Sequence, residues 1–271
     1  MSPQRGGRVI HGLRQLLAEP LARGLDPDHA SAPAVHGRII REKVLLRDVY
    51  DEWYRALVAH VGELKPVVEV GSGAGYLATY LPGLVTTDVR QTPAARLLLR
   101  AQRLPFRPGS LGAIVMTNVM HHLPRIVEFF QQAALCIRPG GAIVAIEPWV
   151  TPWSSWVYRH LHHEPFVPDA VQWDLPAGGP LSTANGALPW IISCRDRARF
   201  EGVCPEWRLE VVAPGWPVRY LVSGGVSVRS LAPAVLRGPL RGLDRWLERW
   251  PDRWAMFALL LFRRTDRTEV S

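Results

Sequence analysis

Val67-Val68-Glu69-Val70-Gly71-Ser72-Gly73-Ala74-Gly75 is the stretch that decides the fold. Pro66 and the apolar run after it read as a short buried strand that ends at a glycine turn. Glycines there permit positive φ and let a ligand lie against bare backbone. Tyr76 to Leu81 reads as the start of a helix, stopped by Pro82-Gly83. The first turn of such a helix offers N–H groups that have no partner inside the helix. A strand, a glycine turn and a helix start together form a ligand-holding corner of an open parallel sheet.

Working outward, Leu84 to Asp88, Arg96 to Leu99, Gly112 to Thr117 and Ala142 to Ile146 read as further strands. Arg125 to Ile137 has helical periodicity and ends at Pro139-Gly140-Gly141. Upstream, Ile39, Val44, Leu45, Val49, Trp53, Leu57 and Val61 recur at three- and four-residue steps, which predicts one amphipathic helix. Strands and helices alternating at this spacing mean a parallel sheet covered on both faces.

After Pro148 the alternation stops. Trp53 is the only tryptophan before Trp149; the other ten of the eleven follow. Residues 149–194, rich in Trp, Pro, His and Gly, read as an irregular cap. Arg195 to Gly202 reads as a short helix, Arg208 to Ala213 as a strand, and Ala255 to Phe262 as a terminal strand. Between them, Leu240, Leu243, Trp246, Leu247 and Trp250 share one face of a helix whose other face carries Arg241, Arg245, Glu248 and Arg249.

The 271 residues are 48% hydrophobic and 21% charged, which excludes a disordered, collagen-like or coiled-coil chain. Cys136, Cys194 and Cys204 form no CxxC pair, so neither a disulfide scaffold nor a zinc ribbon is expected. No secretory signal fits the N-terminus. The apolar run from Trp254 to Phe262 is about half of the roughly 20 residues that a membrane span needs. A soluble cytoplasmic chain is the default expectation. The formal charge of +8 suits nucleic acid in principle. The arginines are nevertheless spread along the whole chain without a basic tail, so nucleic acid is not the expected partner.

A dinucleotide-binding turn reads GxGxxG. Here the third glycine comes one residue early, and Tyr76 stands where that motif needs it. Glu69, two positions before the first glycine, would repel a pyrophosphate. It would not repel a ligand with a cationic centre and an ammonium group, which favours S-adenosylmethionine over a nicotinamide dinucleotide. Asp88, closing the second strand, is placed to accept from both hydroxyls of a ribose.

The ordered set Val67 to Gly75, Asp88, Leu104-Pro105-Phe106, Asn118-Val119-Met120-His121-His122-Leu123 and Ile137-Arg138-Pro139-Gly140-Gly141 resembles class I S-adenosylmethionine-dependent methyltransferases. The resemblance is to the type 11 group, which includes quinone-biosynthesis enzymes, and covers about residues 40–148. It implies an α/β, Rossmann-like, seven-stranded mixed sheet whose last strand is antiparallel, here with a Trp-rich irregular cap. It also implies that Glu69, Gly71, Ser72, Gly73 and Gly75 surround the methionine part of the cofactor and that Asp88 binds its ribose. Gln102 and Leu104 line the adenine, and Asn118 lies beside the methionine and the acceptor. Tyr50 and Tyr54 cover the cofactor from the preceding helix. Two departures stand out. Arg100 occupies a place where the group usually has an acid, and the segment from Asp88 to Arg96 is too short for the usual helix.

For the acceptor, the unusual stretch is His160-Leu161-His162-His163-Glu164. His163, oriented by Glu164, is the candidate general base. No metal is expected, because adjacent His162 and His163 do not share a helix face and no second cluster completes a site. His121 and His122 read as packing residues. The expected organisation is a lead over 1–38 and a methyltransferase domain over 39–271. Cap insertions at 149–194 and 214–251 form an acceptor lid, which accounts for the tryptophans. The expected reaction methylates a small-molecule or lipid-like acceptor, with oxygen ahead of carbon or nitrogen. Residues 239–250 are the candidate contact with a membrane surface. The alternatives are an RNA methyltransferase and a non-catalytic protein that binds cofactor or a partner.

Overall fold

A computed structural model describes residues 17–162, 164–179 and 181–265. Its centre is one sheet of seven strands in the order β3-β2-β1-β4-β5-β7-β6. These are β1 (Val67–Val70), β2 (Val85–Asp88), β3 (Leu97–Leu98), β4 (Leu111–Thr117), β5 (Ile137–Pro148), β6 (Trp207–Gly215) and β7 (Phe257–Arg264). The pairs among β1 to β5 are parallel, and β7 runs antiparallel to both β5 and β6. This is the expected mixed sheet with only the last strand reversed.

Each central strand sends alternate side chains to two cores. Ile114, Met116, Ile143, Ala145, Leu260 and Phe262 face one core, completed by Phe129 and Phe130. Ala113, Val115, Val144, Ile146, Leu259 and Leu261 face the other, completed by Val49, Trp53 and Leu57. A sheet apolar on both sides must be covered on both sides. The periodic segment before β1 forms two helices instead of the single one expected: α2 (Val44–Val61) covers the sheet, and α1 (Ala32–Glu42) packs on α2 through Ile39, Ile40 and Leu46. Lys43 breaks them apart. Its ammonium donates to the carbonyls of Gly225 (2.9 Å) and Val228 and pairs with Glu19 (3.0 Å). An extended backbone at Lys43 lets that buried charge meet its acceptors.

α3 (Ile126–Cys136) covers the opposite face. Pro139-Gly140-Gly141 does not precede the next strand but belongs to it. β5 starts at Ile137, and its register against β4 shifts between Leu111 and Ala113. After Gly75 the expected helix is a single 3₁₀ turn, Tyr76–Thr79. Only Tyr76 to Leu81 separate Gly75 from Pro82, too few to repay the nucleation of an α-helix. No helix lies between β2 and β3, as the short segment implied.

The cap is less irregular than its composition suggests. It opens with α4 (Pro152–Leu161), where Thr151 and Ser154 form a reciprocal capping box with Pro152 at the first helical position. Beyond it come α5 (Arg197–Val203), α6 (Arg219–Ser223), α7 (Arg237–Leu247) and α8 (Pro251–Trp254). Buried Arg219 joins three elements by pairing with Glu52 of α2 (2.5 Å) and Asp244 of α7 (2.6 Å).

Candidate functional site

The glycine turn is built as its spacing implied. Gly71, Gly73 and Gly75 all have positive φ, at 72°, 51° and 72°. A Cβ on Gly71 would stand 2.5 Å from Val119, and one on Gly75 would stand 2.6 Å from Ala94. A Cβ on Gly73 would meet nothing within 4 Å. Gly71 and Gly75 therefore answer to close packing, and Gly73 leaves the backbone open to the cavity. Ser72 ties the ends of two strands together, its N–H donating to the Thr87 carbonyl (2.8 Å) and its Oγ accepting from Thr87 N–H (2.9 Å).

A cavity of about 1400 Å³ opens over this turn. Glu69, Gly71, Ser72, Gly73, Asp88, Gln102, Asn118 and Tyr50 line it, and so does Tyr54. Two expected contacts are not there. Gly75 faces Ala94, and Leu104 is buried in the core, because the chain turns inward at that point. Leu99, Arg100 and Ala101 take the wall beside Gln102 instead. α1 supplies a cover that periodicity alone did not reveal. His36, Gly37 and Ile40 line the cavity, and Gly37 sits so close to the glycine turn that a Cβ there would stand 2.4 Å from Ala74 Cβ.

The polar atoms of this cavity are poised for a ligand. Buried Glu69 Oε2, Gln102 Nε2, Thr117 Oγ1 and Asn118 Oδ1 have no hydrogen-bond partner. Orphaned buried polar groups are costly, and several converging on one cavity mark a place where a ligand supplies the partners. Asn118 also holds a left-handed backbone at φ 54°, which aims its side chain from the end of β4. Burial pushes the Glu69 carboxyl up to about 8; Ser72 pulls it down and the Asp88 charge adds to the rise. Burial also pushes the Tyr50 phenol up to about 12, with Asn118 pulling the other way. Asp88 accepts from Gly73 N–H and Arg90 N–H, both at 3.0 Å, and a carboxylate keeps further lone pairs for a ribose.

At the far side of the same cavity lies a second cluster. Glu147, fully buried in β5, accepts from Val119 N–H (2.8 Å) and Met120 N–H (2.7 Å) through Oε1, and meets His121 Nδ1 at 2.6 Å through Oε2. His121 Nε2 looks toward Glu164 at 3.7 Å, and His122 Nε2 toward the same carboxylate at 4.0 Å. The His122 Nδ1–H donates to the Thr183 carbonyl (3.0 Å). Burial disfavours the imidazolium of His121, but the Glu147 hydrogen bond and charge, with Glu164 beyond, outweigh it and hold the group at about 9. Burial and the His121 charge push His122 down to about 4. For Glu164, burial is outweighed by His121 and the carboxyl falls to about 2.

Glu164 is thus brought into the cavity, while His163 lies outside the described residues. The absence of a second cluster, the reason for expecting no metal, does not hold in three dimensions: His121 and His122 complete one. Glu147 was missed altogether. A charged residue ending an otherwise apolar strand, Ala142 to Ile146, was the signal for it.

Both segments expected as lid inserts reach the cavity, through Tyr158, Glu164 and Leu181 on one side and Tyr220, Leu221 and Val226 on the other. The tryptophans do not: no described tryptophan lines it. Trp149, Trp173 and Trp207 fill the core, while Trp156, Trp246 and Trp250 stand on the surface.

Residues 68–145 match the family model of the type 11 methyltransferase domain. The chain carries a class I, S-adenosylmethionine-dependent methyltransferase domain. Among solved structures, this methyltransferase is similar to geranyl diphosphate C-methyltransferase from Streptomyces coelicolor A3(2), in complex with Mg2+, geranyl diphosphate and S-adenosyl-L-homocysteine. The TM-score is 0.51 at 14% identity, over 92% of this chain and 90% of that one. A geranyl diphosphate methyltransferase in complex with GPP and sinefungin has a TM-score of 0.50 at 13% identity, over 87% and 84%. At these identities the likeness concerns the fold. No curated protein matches the sequence.

Proposed function

We propose that this methyltransferase transfers a methyl group to the oxygen of a small-molecule or lipid-like acceptor held between the glycine turn and the His121–His122–Glu164 cluster. One observation carries the reading: a single cavity of about 1400 Å³ joins the two. That exceeds the ~300–1,000 Å³ of a typical small-molecule site, so cofactor and acceptor fit together. S-adenosylmethionine supplies a methyl on a sulfonium, open to displacement by a nucleophile in line with it.

The chain's own residues then have separable tasks. Glu69 and Asn118 face the methionine part, Asp88 the ribose and Gln102 the adenine, with Tyr50 and α1 closing over them. Excluding water and fixing the nucleophile in line supplies most of the acceleration in such a displacement. Glu164, ionised throughout the neutral range, accepts from the acceptor hydroxyl. His122, uncharged there, offers Nε2 as a second acceptor. Ile40, Leu161, Leu181, Leu221 and Leu231 give the acceptor's carbon skeleton an apolar wall.

Contact of residues 239–250 with a membrane surface belongs to the same reading. α7 docks on the body through a mixed side, where Asp244 and Leu247 are buried and Arg241 pairs with Glu52 (2.9 Å). Its apolar stripe is divided: Leu247 is buried against the body, while Leu243 and Trp246, with Trp250 just beyond the helix, stay outward at 39%, 51% and 45% exposure. Among the described residues no helix is long and apolar enough to cross a membrane, so the contact is peripheral.

The testing experiment is calorimetric titration with S-adenosylhomocysteine on the wild type and on Asp88→Ala. Micromolar binding that weakens tenfold or more in the variant, about 1.4 kcal/mol, is expected. A folded wild type that does not bind overturns the reading.

A further inference from the structure

We propose that His121, His122 and Glu164 bind one divalent first-row transition-metal ion at the acceptor end of the cavity. Their candidate ligand atoms all lie within 4.8 Å of one another, although they come from two segments about 40 residues apart in sequence. The two N···O separations, 3.7 and 4.0 Å, are too long for hydrogen bonds. Ligands around an ion at about 2.0–2.1 Å stand about 3.3 Å apart, so no pair of these atoms has to close by more than about 1.5 Å.

The atoms behind the ligands support this more strongly than their proximity does. A metal-bound imidazole typically donates its remote N–H to a carboxylate or a carbonyl, which fixes the tautomer and the ring orientation. Both histidines have that arrangement. His121 Nδ1 is held by Glu147 at 2.6 Å, and Glu147 is itself fixed by two backbone N–H groups. His122 Nδ1 is held by the Thr183 carbonyl at 3.0 Å. Each ring therefore presents Nε2 to the Glu164 carboxylate, with orientations set by buried partners and not by chance at a surface. Two imidazoles and one carboxylate suit zinc, manganese, iron or cobalt, whereas magnesium prefers oxygen alone.

Binding displaces the proton from His121 Nε2 to solvent, one per ion. Three protein ligands leave coordination positions open toward the cavity. There the ion, held by Glu164 and His122 in place of their direct hydrogen bonds to the acceptor, would act as a Lewis acid on the acceptor oxygen and ease loss of its proton to solvent. That role rests on the methyl-transfer reading; the binding of the ion does not.

The test uses the full chain, free of any affinity tag and stripped of metal, titrated with Co2+ and followed by visible absorption. S-adenosylhomocysteine binding is measured on the same samples. One Co2+ per chain is expected, and His122→Ala and Glu164→Gln should each weaken it by at least about 100-fold while S-adenosylhomocysteine binding stays unchanged. Retained S-adenosylhomocysteine binding without cobalt binding in the wild type overturns the metal site and leaves the methyltransferase reading intact. Wild-type cobalt affinity in both variants also overturns it. Cobalt binding that depends on His122 and Glu164 in a chain that does not bind S-adenosylhomocysteine upholds the metal site and overturns the cofactor reading.

Discussion

Glu69 is a carboxyl group only 3% exposed, held at about 8 by its burial, with one oxygen lacking a partner. The free protein therefore carries a proton there at neutral pH. If the ammonium of the cofactor lies against it, binding favours the carboxylate and releases that proton. The sign follows from linkage: affinity rises with pH below about 8, by up to about tenfold per unit, and levels off above. Calorimetry at pH 6.5 in two buffers of different ionisation heat should show close to one proton released per S-adenosylhomocysteine bound. Glu69→Gln should abolish both the release and the pH dependence. Binding without proton exchange would mean that the ammonium lies elsewhere. The glycine turn and the strand-end position of Asp88 were legible in sequence because both leave few alternatives. Leu104 was not, since an apolar residue beside a ligand loop fits equally well in the core.

Among the elements, α1 is the one whose task emerges only in three dimensions. Its sequence merges with α2 as one periodic run, and nothing local in that run announces the break at Lys43, whose carbonyl acceptors lie some 180 residues away. The break lets α1 cross the glycine turn, where Gly37 touches Ala74. Gly37→Ala would gain helix propensity of ~1 kcal/mol yet place a Cβ 2.4 Å from Ala74 Cβ, lifting α1 from the turn. S-adenosylhomocysteine affinity should fall about tenfold while the melting temperature changes by less than about 3 °C. An unchanged affinity would show that α1 does not close over the cofactor. The strands were read well for the opposite reason. Parallel strands buried on both faces are continuous apolar runs, and β1, β4 and β5 carry that signature themselves. α4 escaped notice because it lies in a segment, 149–194, rich in Trp, Pro, His and Gly, although Thr151-Pro152-Trp153-Ser154 is a helix-start signal.

On the whole-molecule scale, the charge of +8 finds a use if the exposed aromatic face is considered with it. Ion pairs of Asp244 and Glu52, with buried Leu247, hold one side of α7 against the body, so Leu243 and Trp246 turn to solvent beside exposed Trp250, an arrangement a free globular surface does not favour. Trp250 leads through α8 to Trp254, which packs on Trp153, and Trp153 stacks on half-exposed Trp156 (5.8 Å). Exposed Arg253 lines a shallow pocket with Trp153, Trp156 and Trp254, and Arg245 and Arg249 are exposed on the adjoining segment. Tryptophan with arginine is the composition that enters the headgroup layer of an anionic membrane. α4 belongs both to this face and to the cavity wall, through Trp156 on one side and Tyr158 on the other, which would bring the cavity near the lipid phase. Sedimentation with vesicles of phosphatidylglycerol and phosphatidylcholine should therefore retain the wild type, less at high salt. Retention on phosphatidylcholine alone should be weak. Trp246→Ala combined with Trp250→Ala should weaken binding by at least about tenfold without altering S-adenosylhomocysteine affinity. Equal retention of the double variant would remove α7 from the contact. No retention of the wild type would make the acceptor a molecule that reaches the cavity through water.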